Sequence, residues 1–209
     1  MKLVNPKLSY IEKQEWHDCL VSQEVRDVHI QQDSFHEISF HQITFDGCLF
    51  ENIHFQNIQL DHIDFIDIVF DHCDLSNQMI ECQYFQRVVF KNCKLTGTSF
   101  INSRFKDVEF DHCLGRYINF SQAVFDKVNM FDCDFQEASF FESCLKKVDF
   151  QNNHFENSDF FKISHQQLNL SSCFIDGLTI DIESLKNLIV NSYQALQLVK
   201  VLGIQIKDE

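Results

Sequence analysis

Residues 46–75 read DGCLF-ENIHF-QNIQL-DHIDF-IDIVF-DHCDL, and each group of five ends in a large apolar residue. The same register runs from Leu20 to Val190 without an insertion or a deletion. It has 35 positions, of which all but Gly115 and His165 are Phe, Leu, Ile, Val or Met. A strict period of five fits neither an α-helix, with 3.6 residues per turn, nor a plain strand, with a period of two. It indicates a solenoid of short stacked units.

Most units have a second, small or β-branched residue two positions before the register residue, as in Ile53, Ile58 and Cys73. An extended segment of three residues places both side chains on one face. The chain must then turn before the next unit, because an odd period would otherwise send the next pair outward. The remaining positions are largely polar. The sequence therefore predicts a core of paired large and small side chains inside a chain that turns after every unit.

This pattern resembles the pentapeptide-repeat proteins over about Leu20 to Val190. The resemblance implies an all-β fold, a right-handed quadrilateral parallel β-helix with four pentapeptides in each 20-residue coil. Residues 20 apart are then expected to stack at about 4.8 Å, the usual spacing of strands.

The two exceptions to the register, Gly115 and His165, predict local features. At Gly115 a cavity, a bulge or a rotated Tyr117 has to compensate for the missing ring, and at His165 a polar partner is expected near the end of the array.

The two ends of the chain depart from the register. Residues 1–19, which include Trp16, are predicted to form an N-terminal cap. Residues 191–209 are predicted to form a helix and a short strand. Asn191 suits the N-cap, Gly203 suits the C-terminal stop, and Ile204-Gln-Ile206 reads as the strand. The apolar stripe of this helix is too wide for capping alone, which favours a second interface.

The C-terminal pattern, together with the stretch KNCKLTGTSFINSRFKDVEFDHC (Lys91–Cys113), is similar to the quinolone-resistance (Qnr-type) branch of that family. This resemblance implies a homodimer in which two rods join tail to tail. Many Qnr proteins also have loops that project from the coil, but the unbroken frame of this chain leaves no room for them. The residues expected at the dimer interface are Tyr193, Leu196, Leu198, Val199, Val201, Leu202, Ile204 and Ile206.

Six of the nine cysteines occupy the small inward position two residues before the register residue. Ala, Ser, Thr, Val and Ile fill that position in most other units, so these cysteines are predicted to be small buried core residues. No CxxC or His/Cys zinc spacing occurs, and a stacked thiol column as a metal site is the weaker alternative. We therefore expect neither a metal nor another cofactor. We also expect no enzyme activity, because no phosphate loop, GxSxG, HExxH or paired carboxylates stand out.

Charge is unevenly distributed along the chain, whose formal net charge is −14. Residues 27–86 contain eleven acids and no Lys or Arg, whereas Arg87 to Asp149 contains nine bases and nine acids. Three coils of about 14 Å in total would give the first stretch roughly one charge per 1.3 Å, comparable with duplex DNA at about 1.7 Å. Six histidines in the same stretch would weaken this field below about pH 6.5.

The leading hypothesis is a DNA-mimicking rod that binds a type II topoisomerase and reduces fluoroquinolone susceptibility. The target, DNA gyrase or topoisomerase IV, is implied by the resemblance. The alternative is a general protein-interaction scaffold or a regulator of another partner. The acidity argues against direct binding to nucleic acid. The absence of a leader or a long apolar stretch predicts a cytoplasmic protein without membrane association. The partner-binding acids are expected to be Asp46, Glu51, Asp61, Asp64, Asp67, Asp71, Asp74 and Glu81.

Overall fold

The computed structural model describes residues 2–8, 12–13, 24–32 and 34–207, which form a parallel β-solenoid that ends in one short helix. Most of the predicted cap at residues 1–19, including Trp16, lies outside the described residues, so the cap stays a prediction. The strands are β1 (Glu12–Lys13), β2 (Glu24–Arg26), β3 (Val28–Gln31), β4 (Ser34–His36), β5 (Ser39–His41), β6 (Thr44–Asp46), β7 (Leu49–Glu51), β8 (His54–Gln56), β9 (Gln59–Asp61), β10 (Asp64–Asp71), β11 (Tyr84–Lys91), β12 (Arg104–Asp111), β13 (Val124–Phe131), β14 (Cys144–Gln151), β15 (Ser164–His165), β16 (Leu168–Asn169) and β17 (Leu188–Ile189).

The coil contains 20 residues, as the resemblance to the pentapeptide-repeat proteins implied. Strand β10 pairs with β11 in parallel, with Phe65 opposite Phe85 and Phe70 opposite Phe90. The same offset continues through β12, β13 and β14. Four pentapeptides make one coil, so the solenoid has four faces. We call them face A (register residues 45, 65, 85), face B (50, 70, 90), face C (55, 75, 95) and face D (60, 80, 100).

A left-handed residue turns the chain at the corners. The residue two positions after the register residue has a positive φ in most coils, between 52° and 61° when it is not glycine. Asn, Asp and His are frequent there because their short polar side chains tolerate this conformation. Glycine takes the same place at Gly47, Gly97 and Gly177. The period of five is therefore also the period of the turns.

Phenylalanine rings fill the solenoid. In the face A column, Phe85 lies between Phe65 and Phe105, with ring centroids 4.9 Å apart on both sides and nearly parallel planes. Between faces the rings meet edge to face, as for Phe100 and Phe105 at 5.6 Å and 73°. Both arrangements are favourable for aromatic pairs, so the rings supply packing energy beyond the area that they bury.

The small inward residues tie each coil to the one before it. The Cys93 thiol donates to the Phe70 carbonyl at 3.4 Å, and the Ser103 hydroxyl donates to the Ile80 carbonyl at 3.0 Å. Burial, followed by a hydrogen bond with Cys113, raises the pKa of Cys93. These thiols are therefore neutral core groups, as the sequence predicted. Among the described residues, no group of His, Cys, Asp or Glu could hold a metal ion.

The corners are of two kinds. From Leu75 onward, many corners close with a hydrogen bond from the small inward residue to the preceding register carbonyl, as for Thr98 to Leu95 at 3.0 Å and Ala123 to Phe120 at 3.0 Å. The corners before Ile38, Ile43 and Ile58 have no such bond. The closed corners lie mainly on either side of face D and include Ile118 to Gly115 at 3.1 Å, whereas the N–H groups of Cys113 and Cys133, between faces B and C, donate to side chains of the next coil.

Gly115 is compensated by its neighbours. A Cβ atom added there would lie 2.6 Å from the Phe135 ring and 3.4 Å from the Ile118 side chain. The ring of the next coil thus occupies the place of the missing one, and Tyr117 stays exposed. At His165, the imidazole Nε2 lies 2.9 Å from the Ser184 carbonyl oxygen, which is the polar partner predicted for the end of the array.

The C-terminal helix begins and ends where the sequence predicted. Helix α1 (Ser192–Leu198) starts with a capping box in which Asn191 and Gln194 exchange side-chain and backbone hydrogen bonds. A 3₁₀ turn (Val199–Leu202) continues it, and Gly203 stops it at φ 73°. Residues 204–207 have no strand partner among the described residues, so the strand predicted at Ile204–Ile206 is not formed within one chain.

Candidate interaction surfaces

The eight predicted partner-binding acids surround the solenoid and do not form a single stripe. Three lie on face A or at its corner, two on face B, one on face C and two on face D. Asp61 and Asp64 are exposed, and most of the others are half-buried. The stretch without Lys or Arg is thus acidic on every side. The acids by face are Asp46, Asp64 and Asp67 (A), Glu51 and Asp71 (B), Asp74 (C), and Asp61 and Glu81 (D).

Asp67 is a correction to the predicted surface. It is buried, and it accepts two hydrogen bonds from the Arg87 guanidinium, both 2.6 Å long. It also accepts the Lys7 backbone N–H at 2.9 Å. Burial opposes ionisation of this carboxyl, but the hydrogen bonds from Arg87 and Lys7 outweigh it and lower the pKa. Asp67 is therefore an internal charge with its own partner, which the neighbouring sequence concealed because Arg87 is one coil away.

The sequence did not predict the position of residues 2–8, which lie along the corner between faces A and B. The Val4 N–H donates to Asp107 at 3.2 Å and the Lys7 N–H donates to Asp67. These carboxylates are two coils apart, about 9.6 Å, which three residues of extended chain can span. Pro6 between them favours that conformation. The segment covers both carboxylates, and no pattern in the sequence signalled it.

Each of the six histidines in the stretch lies beside a carboxylate. The His62 and His41 rings lie 2.5 Å and 3.4 Å from Asp61, and their hydrogen bonds lower the pKa of that carboxyl. Protonation would therefore place positive charge directly against the acids. The other His–acid pairs, with N–O distances between 2.6 Å and 3.7 Å, are His29–Glu51, His36–Glu37, His54–Asp74 and His72–Asp71.

The apolar residues of the C-terminal module divide into two sets. Leu198 is buried, and Val201 packs against the end of the core. Val199 is half-buried. These three residues belong to the cap of the solenoid. The exposed set, with half or more of each residue accessible, comprises Tyr193, Leu196, Leu202, Ile204 and Ile206.

No helix among the described residues is long and apolar enough to cross a membrane.

Comparisons with known proteins found one family model and several solved structures. The family model described as "Pentapeptide repeat region" matches residues 64–140. One similar structure is a trypsin-treated form of QnrB1, a plasmid-mediated fluoroquinolone resistance protein. Its sequence is 17% identical, the match covers 86% of this chain and 99% of that chain, and the TM-score is 0.41. HetL, a pentapeptide-repeat protein from the cyanobacterium Nostoc, is involved in heterocyst differentiation regulation. It is 10% identical in sequence, the match covers 83% of this chain and 92% of HetL, and the TM-score is 0.35.

No curated protein matches the sequence significantly. The family model covers the part of the solenoid in which the closed corners begin and phenylalanine rings stack without a break from Phe65 to Phe125 on face A. The 20-residue offset of the paired strands and the left-handed corner residues occur throughout that range. The match and the geometry agree with the resemblance seen in the sequence, and the chain therefore contains a pentapeptide repeat region, at residues 64–140.

Proposed function

We propose that this protein is a DNA-mimicking rod that binds the DNA-binding surface of a type II topoisomerase, DNA gyrase or topoisomerase IV. By doing so it would reduce susceptibility to fluoroquinolones. One observation carries the proposal, namely that residues 27–86 contain no Lys or Arg and fold into coils with acids on all four faces. The Qnr-like sequence of the C-terminal module and of Lys91–Cys113 supplies the identity of the partner.

Charge on every side suits a partner that surrounds its ligand, because a cleft lined with bases attracts acids on each face that it touches. Duplex DNA likewise has phosphates around its whole circumference. The relevant charges are those that reach solvent, above all Asp61 and Asp64. Asp67 is left out of the proposed contact because Arg87 neutralises it.

The second part of the proposal is a homodimer formed through the exposed apolar set of the C-terminal module. Tyr193, Leu196 and Leu202 remain exposed after the helix has covered the last coil. An apolar surface beside an unpaired segment at Ile204–Ile206 favours association with a second copy. Such a dimer would present one acidic region at each end.

A supercoiling assay with purified gyrase, with and without ciprofloxacin, tests the proposed function. The variant replaces Asp61, Asp64, Asp71 and Asp74 by Asn, which keeps the hydrogen-bond acceptors and removes the charge. We expect the unmodified protein to inhibit or protect the enzyme and this variant to lose the effect. The matched control removes the same charge from the balanced part of the rod, at Asp111, Asp126, Asp132 and Asp134.

Equal loss in both variants would contradict the acidic region as the contact. If the unmodified protein had no effect at micromolar concentration, the topoisomerase proposal would be wrong and the interaction-scaffold alternative would remain. Light scattering tests the dimer separately. We expect Leu196→Asp to give a 24.7 kDa monomer that is still folded. Leu198→Asp should instead destabilise the cap, because Leu198 is buried in its own chain.

A further inference from the structure

The coils of the solenoid are normally joined on face D by backbone hydrogen bonds. The Ile80 N–H donates to the Ser99 carbonyl at 2.8 Å, and the Ser99 N–H donates to the Gln78 carbonyl at 2.9 Å. The same pair of bonds repeats in the next coils, where Phe100 and Phe120 replace Ile80 as donors. Each coil thus covers the edge of the one before it.

This pattern is interrupted between the coil of Leu60 and the coil of Ile80. In the described part of the chain, no backbone hydrogen bond joins residues 57–62 to residues 76–82. By the pattern of the other coils, the N–H groups of Asn57, Leu60 and His62 would donate across this boundary. The break is confined to face D, because Phe55 N–H still donates to the Asp74 carbonyl at 2.8 Å and β10 pairs with β11. We call this gap the open seam.

Two glutamines explain why the coils separate here. Gln78 and Gln83 occupy inward positions that hold Thr98 and Ser103 in the next coil, and both are buried. Ser103 in such a position accepts the Gln83 N–H at 3.2 Å with its short hydroxyl. The Gln78 Oε1 accepts the Ile58 N–H at 3.1 Å, and the Gln83 Oε1 accepts the Ile63 N–H at 2.7 Å. Each glutamine oxygen is two bonds farther from its backbone than the Ser103 hydroxyl oxygen. The longer side chains hold the two coils apart.

The open seam is a cleft of about 460 Å³. Leu60 lies at its floor and is only partly buried, whereas Phe40, Ile80 and Phe100 of the same column are buried. Below it, an apolar void of about 20 Å³ lies among the phenylalanine rings. Met79 on the rim is 66% exposed. The cleft therefore joins unpaired backbone groups to an apolar floor.

The rim selects the occupant. Of the three donors in this described stretch, Leu60 lies in the extended strand β9, whereas Asn57 and His62 are left-handed corner residues. An extended strand with an unpaired N–H pairs with another extended backbone, which is how a peptide adds to a sheet edge. Glu81 lines the cleft, Asp61 follows it on the same face, and no Lys or Arg occurs in residues 27–86 to offset them. These charges favour a cationic peptide, and Leu60 with Met79 favours an apolar side chain between the cationic ones.

We propose that the open seam is a binding site for an extended basic peptide segment of a partner protein. The segment pairs its backbone with Leu60 in β9, places an apolar side chain against the Leu60 side chain and directs Lys or Arg towards Glu81. The site goes beyond the proposed topoisomerase contact, because it depends on the separation of two coils and not on the charge of the whole rod.

The experiment measures binding of the synthetic peptide acetyl-Lys-Val-Lys-Val-Lys-amide to the full chain by NMR, together with amide hydrogen exchange. We expect the peptide to shift the Met79 and Leu60 signals and to slow exchange of the Leu60 amide about 10- to 100-fold, the range expected for one additional hydrogen bond. The charge-reversed peptide with Glu in place of Lys, and a peptide N-methylated at both valines, should produce neither effect.

The variant Gln78→Ser with Gln83→Ser should close the seam, because serine reproduces the short bridge of Ser103. We expect it to slow exchange of the Leu60 amide without peptide and to weaken peptide binding about 10-fold or more. Gln122→Ser, at an exposed corner of the same face, is the matched control and should bind like the unmodified chain. Equal binding by the closed variant, or no binding by the unmodified chain, would overturn the proposal.

If the double variant fails to fold, the comparison of the three peptides on the unmodified chain decides the question alone. Protection of Leu60 by the N-methylated peptide would then refute backbone pairing. The experiment contains no topoisomerase, so its failure is distinguishable from failure of the supercoiling assay.

Discussion

The coils between Val28 and Ile63 and the coils between Leu75 and Leu178 follow the same repeat but are built differently. The first region has Ile at most inward positions, open corners and short strands on all four faces. The second has Cys, Ser, Thr or Ala at many of these positions and closes many corners with a hydrogen bond. The large register residues form the core in both regions, and the regions differ at the corners on either side of face D, which are closed in many coils of the second. The open seam lies where the two kinds of coil meet.

Truncating one ring in each region should give the largest difference. Phe105→Ala removes a ring stacked between Phe85 and Phe125, and we expect it to lower the free energy of unfolding by about 3–5 kcal/mol. Phe40→Ala should lower the free energy of unfolding by less, towards the lower end of that range, because its neighbour Leu60 lies at the open seam and can relax. Urea denaturation measures both, and an equal loss would contradict a looser first region.

Removing the ion pair between Arg87 and Asp67, at the boundary of the two regions, should give the second largest effect on stability. Arg87→Met leaves the Asp67 carboxylate buried without its partner, and we expect a loss of about 3 kcal/mol at neutral pH. The Asp67 pKa is lowered in the folded chain, so its stabilisation is present above the unfolded value of about 3.8 and disappears as pH falls through the folded value. Asp67→Asn with Arg87→Met should therefore flatten this acid dependence.

The tight-cornered region can be probed at its one exceptional register position. Gly115→Ala places a methyl group 2.6 Å from the Phe135 ring, and we expect a loss of about 1–3 kcal/mol from overpacking. The added change Phe135→Leu should recover part of that loss, because it removes the ring that the methyl group contacts. Additive losses in the double variant would show that Phe135 does not fill the space at Gly115.

The smallest expected effect concerns the exposed His–acid pairs, which occur in both regions. The hydrogen bond with Asp111 raises the pKa of His112 above its usual value of about 6.5. Stability from this pair is present below the unfolded pKa and is lost as pH rises through the folded pKa. We expect an NMR titration midpoint above 6.5 for His112, and Asp111→Asn should return it to the usual value.

Much of the fold follows from the sequence because the repeat is local. The register, the 20-residue offset, the buried thiols and the capping box at Asn191 all depend on residues close in sequence or one coil apart. The surface was less predictable. Asp67 looked like its acidic neighbours, but its environment is set by Arg87 one coil later and by Lys7 sixty residues earlier. The helix residue Leu198 was assigned to a dimer interface because a stripe does not reveal which of two surfaces it faces.

The open seam shows a second limit. The glutamines at positions 78 and 83 are visible in the sequence as departures from the small inward residue. Their consequence depends on how two coils accommodate a longer bridge, which involves backbone groups of residues 57–63. A pattern of residue types predicts which side chains point inward. It does not predict how far apart the backbones then lie.

The contact of residues 2–8 with Asp67 and Asp107 imposes an order on assembly during synthesis. Each coil can stack on the preceding one as soon as its 20 residues are available. Residues 2–8 are made before Asp107, and the hydrogen bond from Val4 to Asp107 requires that the 103 residues that separate them in number have been added and folded. This segment therefore docks late, onto a surface that the growing rod has to form first.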